Sequence, residues 1–277
     1  MQIIEYRITL PLTVEEYQVA QLFTLNESLK TETNNKKAFV LHNEYFSNYP
    51  LLNGGKFSHG QYTSKIYQWS ARIPQFLKSI LGQDALEVHE EAWDAYPYCR
   101  TIITNSVYMK ERFYIKIESL HLANDRGDQD NVHELTEELL KQRKVIHIDI
   151  ANDTVSAKDY QANEDPTKFQ SLKTGRGPLV GSMWRQTCQP VMTCYKLVTC
   201  EFKSFGLQNT LETLLQRFER RIFTNFHRKL FCLIDRWYDL KLNDVRVKEE
   251  KCEQEEHNKT GNRDLKEVIE TKRTSRH

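Results

Sequence analysis

Residues 190–203 read Pro-Val-Met-Thr-Cys-Tyr-Lys-Leu-Val-Thr-Cys-Glu-Phe-Lys, a run rich in β-branched and aromatic side chains. With a strand's period of two, Met192, Cys194, Lys196, Val198, Cys200 and Phe202 share one face. Lys196 is then a lone cation among methyls and thiols. Turned inward, an unpaired ammonium is costly, so it requires a carboxylate partner, a neutral state or an anionic ligand. On an edge strand it would instead snorkel to water, and this strand alone leaves both readings open.

Three other segments carry the same kind of chemistry. A strand near 61–70 aligns Thr63, Lys65, Tyr67 and Trp69 on one face. One near 99–105 aligns Cys99, Thr101 and Ile103, and one near 112–120 aligns Phe113, Ile115, Ile117 and Ser119. Each contributes a hydroxyl, and Lys65 supplies a second ammonium. Hydroxyls and ammonium groups are natural ligands of a phosphate diester, which offers acceptors and one negative charge. Thr and Ser are ordinary on strands, and either lysine could pair with a glutamate. Their coincidence on apolar faces points to a ligand with a polar head and an apolar body.

The elements that position these groups can be traced along the chain. Ile4, Tyr6, Ile8 and Leu10 alternate with polar residues and predict a first strand ending at Pro11. Thr13-Val-Glu-Glu16 is a capping box, and Tyr17, Ala20, Gln21 and Leu25 follow at helical spacing. Further strands are expected near 38–46, 84–90 and 143–151. Region 152–190 is irregular, with Pro166, Gly175-Arg-Gly-Pro178 and Pro190, and irregular stretches of that length are often functional or regulatory. From Leu207 to Trp237 an apolar stripe of Leu207, Leu211, Leu214, Leu215, Phe218, Ile222, Phe226, Leu230, Leu233 and Trp237 predicts one helix about 45 Å long. After about 245 the chain is almost wholly charged, which suits an exposed helix fraying into a tail. Successive strands with an early and a late helix imply an α+β fold, a curved, mainly antiparallel sheet wrapped around helices.

A net charge of +1 over 277 residues gives no basic field for nucleic acid. No apolar run approaches the roughly 18 residues of a membrane span, and the first residues lack a signal peptide's basic and apolar regions. The six cysteines (99, 188, 194, 200, 232 and 252) form no CxxC pair or zinc spacing, which suits reduced thiols in a cytoplasmic protein. GxSxG, HExxH, Walker and GxGxxG motifs are absent, and the histidines are scattered, so they are read as surface or satisfied core residues. The chain is read as a non-enzyme with no metal and no cofactor beyond the bound ligand of polar head and apolar body.

Longer motifs carry a resemblance. Gly60-Gln-Tyr-Thr-Ser-Lys-Ile-Tyr67, Glu91-Ala-Trp-Asp-Ala-Tyr-Pro-Tyr-Cys-Arg-Thr-Ile-Ile-Thr-Asn105, Lys173-Thr-Gly-Arg-Gly-Pro-Leu179, Tyr195-Lys-Leu-Val-Thr199 and Phe223-Thr-Asn-Phe-His-Arg228 occur in order. Over residues 1–250 the chain resembles the class I phosphatidylinositol transfer proteins. The resemblance implies a START-like fold, a concave sheet and long helices enclosing one phospholipid, with residues 251–277 as a charged tail. It also implies exchange of phosphatidylinositol or phosphatidylcholine between membranes without chemistry. The alternative it leaves open is a lipid-loaded sensor or adaptor presenting phosphatidylinositol to lipid kinases or other partners. A monomeric cytoplasmic protein, in transient contact with Golgi or ER membranes, is the expected setting.

Carried over by position, the resemblance implies inositol contacts at Thr63, Lys65, Asp94 and Glu249, and phosphate contacts at Gln21, Thr101, Ser119 and Lys196. Cys99 matches a cysteine lining the headgroup region, and Ser171 matches a phosphorylation site. Two of these positions depart from the family pattern: Asp94 replaces an asparagine and Ser119 a threonine. The aspartate keeps the acceptors, loses the amide donor and adds a negative charge, expected to lie close to Lys65 and Glu249. Inositol selectivity is therefore expected to change more than phosphate binding. Ser204-Phe205 stands where the family has two membrane-docking tryptophans, so Phe205 is the remaining aromatic there. Phe76, Leu77, Ile80 and Leu81, within 71–84, are candidate gate or docking residues, as is the charged segment after Leu240.

Overall fold

The computed structural model describes residues 1–32, 38–49, 55–68, 87–104, 113–202 and 208–247. Two compact units are present, Met1–Asp239 and Leu240–His277. In the second, the described residues include a helical turn over 242–247.

The first unit is built on eight strands: β1 (Gln2–Leu10), β2 (Ala38–Phe46), β3 (Gly60–Gln68), β4 (Glu87–Ala95), β5 (Tyr98–Thr104), β6 (Phe113–Ala123), β7 (Lys144–Ile148) and β8 (Met192–Phe202). They form one sheet in the order β2-β3-β4-β5-β6-β8-β1-β7. Every neighbouring pair is antiparallel except β1 with β7, which run parallel. This is the α+β, mostly antiparallel architecture expected of a START-like fold. The fourth strand ends later than the 84–90 expected, because residues 91–95 continue its pairing with β5.

The helices of this unit include α1 (Val14–Glu32), α2 (Glu137–Gln142), α3 (Trp184–Thr187), α4 (Gln208–Cys232) and α5 (Ile234–Trp237). The capping box at the start of α1 is formed in both directions. The Thr13 backbone N–H donates to Glu16 Oε2 at 2.8 Å, and the Glu16 N–H donates to Thr13 Oγ1 at 3.1 Å. The buried stripe of α1 is Val14, Tyr17, Ala20 and Thr24, while Leu25 is exposed. Leucine spacing misplaced that face because a buried threonine belongs to it.

The late helix departs at one position. Its buried positions include Leu215 and Leu230 of the expected stripe together with Glu219, Phe223 and His227, whereas Ile222 is 45% exposed. A glutamate and a histidine share the inward stripe, which apolar periodicity alone does not include. The single helix expected from 207 to 237 is also interrupted: Leu233, with φ −96° and ψ 10°, separates α4 from α5.

Helices α1 and α4 cover one sheet face. Tyr17 reaches Cys194, and Tyr6 of β1 hydrogen bonds to Glu219. The opposite face near β1 and β8 is closed by the 124–131 loop. There Arg7 Nη1 donates to the Gly127 carbonyl at 2.8 Å and pairs with Glu5 at 2.7 Å, while Arg143 holds the other Glu5 oxygen at 2.9 Å. These contacts explain how the polar alternates of β1 can be buried. The irregular 149–190 region is pinned to α4 and α1. Arg228 donates to the Ile150 carbonyl at 2.6 Å and to Asp165 at 3.2 Å, and Arg176 grips both Glu16 oxygens at 2.8 and 2.9 Å. Gly177 has φ +87°, and a Cβ there would lie 2.2 Å from the Phe169 carbonyl oxygen, so only glycine fits.

Candidate functional site

The strand registers align the chemistry-bearing residues across the sheet. Gln61 faces Asp94, Asp94 faces Cys99, Cys99 faces Ser119, Ser119 faces Lys196, and Lys196 faces Tyr6. Directly opposed residues project to the same side. One row therefore crosses six strands on the face covered by α1 and α4. The next row places Thr63 against Ala92 and Ala92 against Thr101. In the row beyond, Lys65 faces Glu90. Asp94 is thus two rows from Lys65, roughly 13 Å along the strand, and the expected immediate neighbourhood of the two is not what the register gives.

Lys196 is half-buried at the centre of the site. Its Nζ donates to Ser119 Oγ at 3.2 Å and lies 5.5 Å from the centroid of the Phe223 ring. It makes no ion pair within the described residues. The site thus resolves the choice posed by the strand: hydroxyl, thiol and aromatic groups surround the ammonium where a carboxylate could have stood. Cation–π contact contributes about 0.5–2 kcal/mol, too little to replace the hydration of a half-buried charge.

Helix α4 presents Glu219, Phe223 and His227 at intervals of four toward this row. Glu219 accepts from the Tyr6 hydroxyl at 2.9 Å. Burial pushes the Glu219 carboxyl up to about 7, opposed by that hydrogen bond. Phe223 packs edge-on against Tyr6, with centroids 5.1 Å apart. His227 Nε2 lies 3.0 Å from the Tyr17 hydroxyl, and its Nδ1 lies 2.7 Å from the Phe223 carbonyl. Burial and then the nearby Lys196 charge lower His227 to about 3. Its imidazole is neutral at ordinary pH.

His121, one row beyond Ser119 and facing Cys194, is buried between the Tyr17 and Tyr96 rings at centroid distances of 4.8 and 5.1 Å. Neither ring nitrogen makes a hydrogen bond, although the Pro97 carbonyl opposes the downward shift that burial and Lys196 impose. The Gln21 side-chain oxygen and the Thr24 hydroxyl are likewise buried without partners. Unpaired buried polar atoms are costly, and here several sit on the helix-covered side of the sheet. His227 fits the expectation of a satisfied core histidine and His147 that of a surface one. His121 and His133 fit neither, being buried with both nitrogens unpaired.

Cys99 donates from Sγ to Asp94 Oδ1 at 3.2 Å. Burial raises its thiol well above the ordinary range, the Asp94 carboxylate adds to this, and Lys196 pulls the other way. Cys194 is raised by burial and lowered by Lys196. Both thiols are therefore protonated, and Cys99 serves as a donor to Asp94.

Ser171 lies away from this row, with 1% of its surface exposed. Its hydroxyl donates to Asp235 Oδ1 at 2.5 Å and accepts from the Thr174 N–H at 3.0 Å. Asp235 also accepts from the Leu172 and Lys173 N–H groups at 2.9 and 3.1 Å. These bonds keep its carboxyl below the ordinary range despite burial.

Of the residues expected to contact ligand, the structure brings Asp94, Cys99, Ser119 and Lys196 into one row and Thr63 and Thr101 into the next, with Lys65 beyond. Gln21 is on α1. Glu249, Phe76, Leu77, Ile80, Leu81 and Phe205 lie outside the described residues. Sequence reasoning missed Tyr6, Tyr17, His121 and Glu219 as neighbours of the site. The available signal was the four-residue spacing of Glu219, Phe223 and His227, which becomes visible once polar residues are allowed on an inward stripe. Among the described residues, no cluster of His, Cys, Asp and Glu could hold a metal ion, and no helix is long and apolar enough to cross a membrane.

Comparison with known proteins places this geometry in context. The family model described as phosphatidylinositol transfer protein matches residues 1–254. The human phosphatidylinositol transfer protein beta isoform is 46% identical over 257 residues, covering 91% of this chain and 92% of that protein. Phosphatidylinositol transfer protein 1 of Dictyostelium discoideum is 41% identical over 274 residues, covering 98% of this chain and 97% of that protein. Phosphatidylinositol transfer protein 2 of the same organism is 43% identical over 270 residues, 95% of this chain and 100% of that protein. With its mostly antiparallel sheet, its helix-covered Lys196 row and these matches over nearly its whole length, the chain belongs to the phosphatidylinositol transfer protein family.

Proposed function

We infer that this chain carries one phosphatidylinositol or phosphatidylcholine molecule at a time and exchanges it between membranes. The observation that carries the reading is the Lys196 ammonium, half-buried beside Ser119 and lacking an ion pair among the described residues. A phosphodiester oxygen supplies the missing counter-charge, and Ser119 and Thr101 add hydroxyl donors. Gln21 is the fourth proposed phosphate contact, and its amide is oriented by that phosphate. Thr63, Lys65, Asp94 and Glu249 are proposed to read the polar head, with Cys99 lining it.

Two acyl chains hold on the order of 30 methylenes at about 0.8 kcal/mol each, so leaving a bilayer for water would cost roughly 24 kcal/mol. Transfer therefore requires an interior that replaces the bilayer almost completely, with a volume near the upper end of ligand sites, about 1,000 Å³. It also requires a gate that opens at a membrane. Residues 71–84, with Phe76, Leu77, Ile80 and Leu81, together with Phe205, are proposed for that role. Residues 1–250 act as the transfer domain and 251–277 as a charged tail. Cytoplasmic residence, a monomeric state and transient contact with Golgi or ER membranes belong to the same proposal.

Purified protein is expected to move labelled phosphatidylinositol from donor to acceptor liposomes. Absence of transfer of either lipid, at low and at high ionic strength, would refute the reading.

A further inference from the structure

Ser119 is not the only group that holds Lys196. Two residues earlier on the same face of β8, Cys194 is buried, and the Lys196 ammonium is close enough to hydrogen bond its sulfur. Tyr17 of α1 brings its hydroxyl oxygen within 3.7 Å of Cys194 Sγ and within 3.0 Å of His227 Nε2 on α4. His227 Nδ1 lies 2.7 Å from the Phe223 carbonyl, and the Phe223 ring returns to Lys196 at 5.5 Å. Tyr17, Cys194 and His227 are each 0% exposed, so bulk water does not compete for these bonds. The chemistry of the groups gives the chain a direction. A carbonyl only accepts, so His227 Nδ1 carries the ring proton. Burial and the Lys196 charge both oppose a second proton on the ring, which leaves Nε2 as an acceptor. The single Tyr17 proton then goes to Nε2, and the Tyr17 oxygen accepts. Cys194, kept protonated by burial, donates to that oxygen while its sulfur accepts from Lys196. Donation runs from Lys196 through Cys194, Tyr17 and His227 to the α4 backbone.

We propose that Cys194, Tyr17 and His227 are positioning residues for the phosphate anchor, acting through Lys196 and not on the ligand. Ser119 holds one ammonium N–H at 3.2 Å, Cys194 holds a second, and the third is turned toward the anion. The relay also joins β8 to α1 and α4, so the two helices that cover this face are fixed to the ammonium they enclose. Bonds that polarise one another in a dry interior reinforce each other, so breaking any one of them loosens the anchor. The phosphate is common to both lipids proposed as cargo, and the relay therefore governs how firmly a lipid is held and not which one. The proposal rests on the phospholipid reading above and adds to it residues that the family resemblance did not select.

The test incubates the full chain, as wild type, Tyr17→Phe, Cys194→Ala and Cys194→Ser, with vesicles of equal phosphatidylinositol and phosphatidylcholine. Bound lipid is counted by native mass spectrometry, and thermal unfolding shows that each protein is folded. Tyr17→Phe and Cys194→Ala should each lower occupancy by both lipids about three- to tenfold, the scale of one hydrogen bond in a charged network. Cys194→Ser, whose hydroxyl both accepts and donates, should recover to within about twofold of wild type. Rescue by serine restores hydrogen bonding without the packing of the larger thiol, which separates positioning from core filling. Nitrogen-15 NMR of histidine-labelled wild type should show His227 as the neutral tautomer protonated at Nδ1. A His227 protonated at Nε2, equal occupancy in wild type and both disrupting variants, or loss of one lipid alone overturns the proposal and leaves phospholipid transfer standing. Failure of wild type to hold either lipid overturns the underlying reading itself.

Discussion

Ser119 and Lys196 stand directly opposite each other across β6 and β8, and the Lys196 ammonium donates to the Ser119 hydroxyl at 3.2 Å. Both groups retain donor capacity after that bond: the ammonium has two further N–H groups and the hydroxyl its own proton. An anion can therefore bridge them without either losing a partner. This pair is the part of the site common to every phospholipid proposed as cargo.

Removing the hydroxyl should weaken that bridge without abolishing it. Ser119→Ala is expected to lower binding of phosphatidylinositol and phosphatidylcholine equally, by about three- to tenfold, the value of one hydrogen bond to a charged group. Ser119→Thr should be close to wild type. Equilibrium binding to labelled lipid checks both, and a selective loss of one lipid in the alanine variant would contradict the shared role.

Lys65 has a different expected profile. It lies two rows from Asp94 and faces Glu90, away from the Ser119–Lys196 pair. Lys65→Ala should reduce phosphatidylinositol transfer by tenfold or more and phosphatidylcholine transfer by little. Liposome transfer assays with each lipid separately would show the split; equal losses would assign Lys65 to the phosphate or to folding.

The site was legible in the sequence to the extent that it depends on a period of two. Thr63 with Lys65, Cys99 with Thr101, Ile117 with Ser119 and Cys194 with Lys196 each share a face because alternate residues must. What joins these faces is register, which is set by turns and bulges between strands; the Asp94–Cys99–Ser119–Lys196 row follows from it and could not be read from any strand alone. The helices failed differently. Leu25 and Ile222 were expected inside and lie outside: Thr24 is buried beside Leu25, and Glu219 and His227 are buried with hydrogen-bond partners that hydropathy cannot see. The Thr13–Glu16 capping box was legible because it is a purely local interaction.

Glu219 should impose a pH dependence on stability. Its folded pKa of about 7 lies above the ordinary 4.5, so the fold favours the protonated carboxyl. That contribution is fully present below about pH 4.5 and is lost as pH rises through about 7, for a total on the order of 3 kcal/mol. Glu219→Gln keeps an acceptor for Tyr6 and removes the titration. The difference in urea midpoint between variant and wild type should therefore move in favour of the glutamine as pH rises from 4.5 to 8. A constant difference would show that Glu219 is not shifted.

Ser171 is proposed as a regulatory site, and its packing sets the consequence. A phosphate there would stand against the Asp235 carboxylate that now accepts the Ser171 proton at 2.5 Å. Ser171→Ala should cost about 1 kcal/mol. Ser171→Glu should cost more and open the 171–176 turn to limited proteolysis. A glutamate variant as stable and as protease-resistant as wild type would contradict this.

The central claim is that Lys196 anchors the phosphate of a carried phospholipid. Its most direct test is native mass spectrometry of wild type and Lys196→Ala after incubation with vesicles of phosphatidylinositol and phosphatidylcholine, with thermal unfolding showing that both proteins are folded. The account predicts one phospholipid per wild-type chain and loss of both lipids, by about ten- to a hundredfold in occupancy, in folded Lys196→Ala. Equal lipid occupancy in wild type and Lys196→Ala would contradict it.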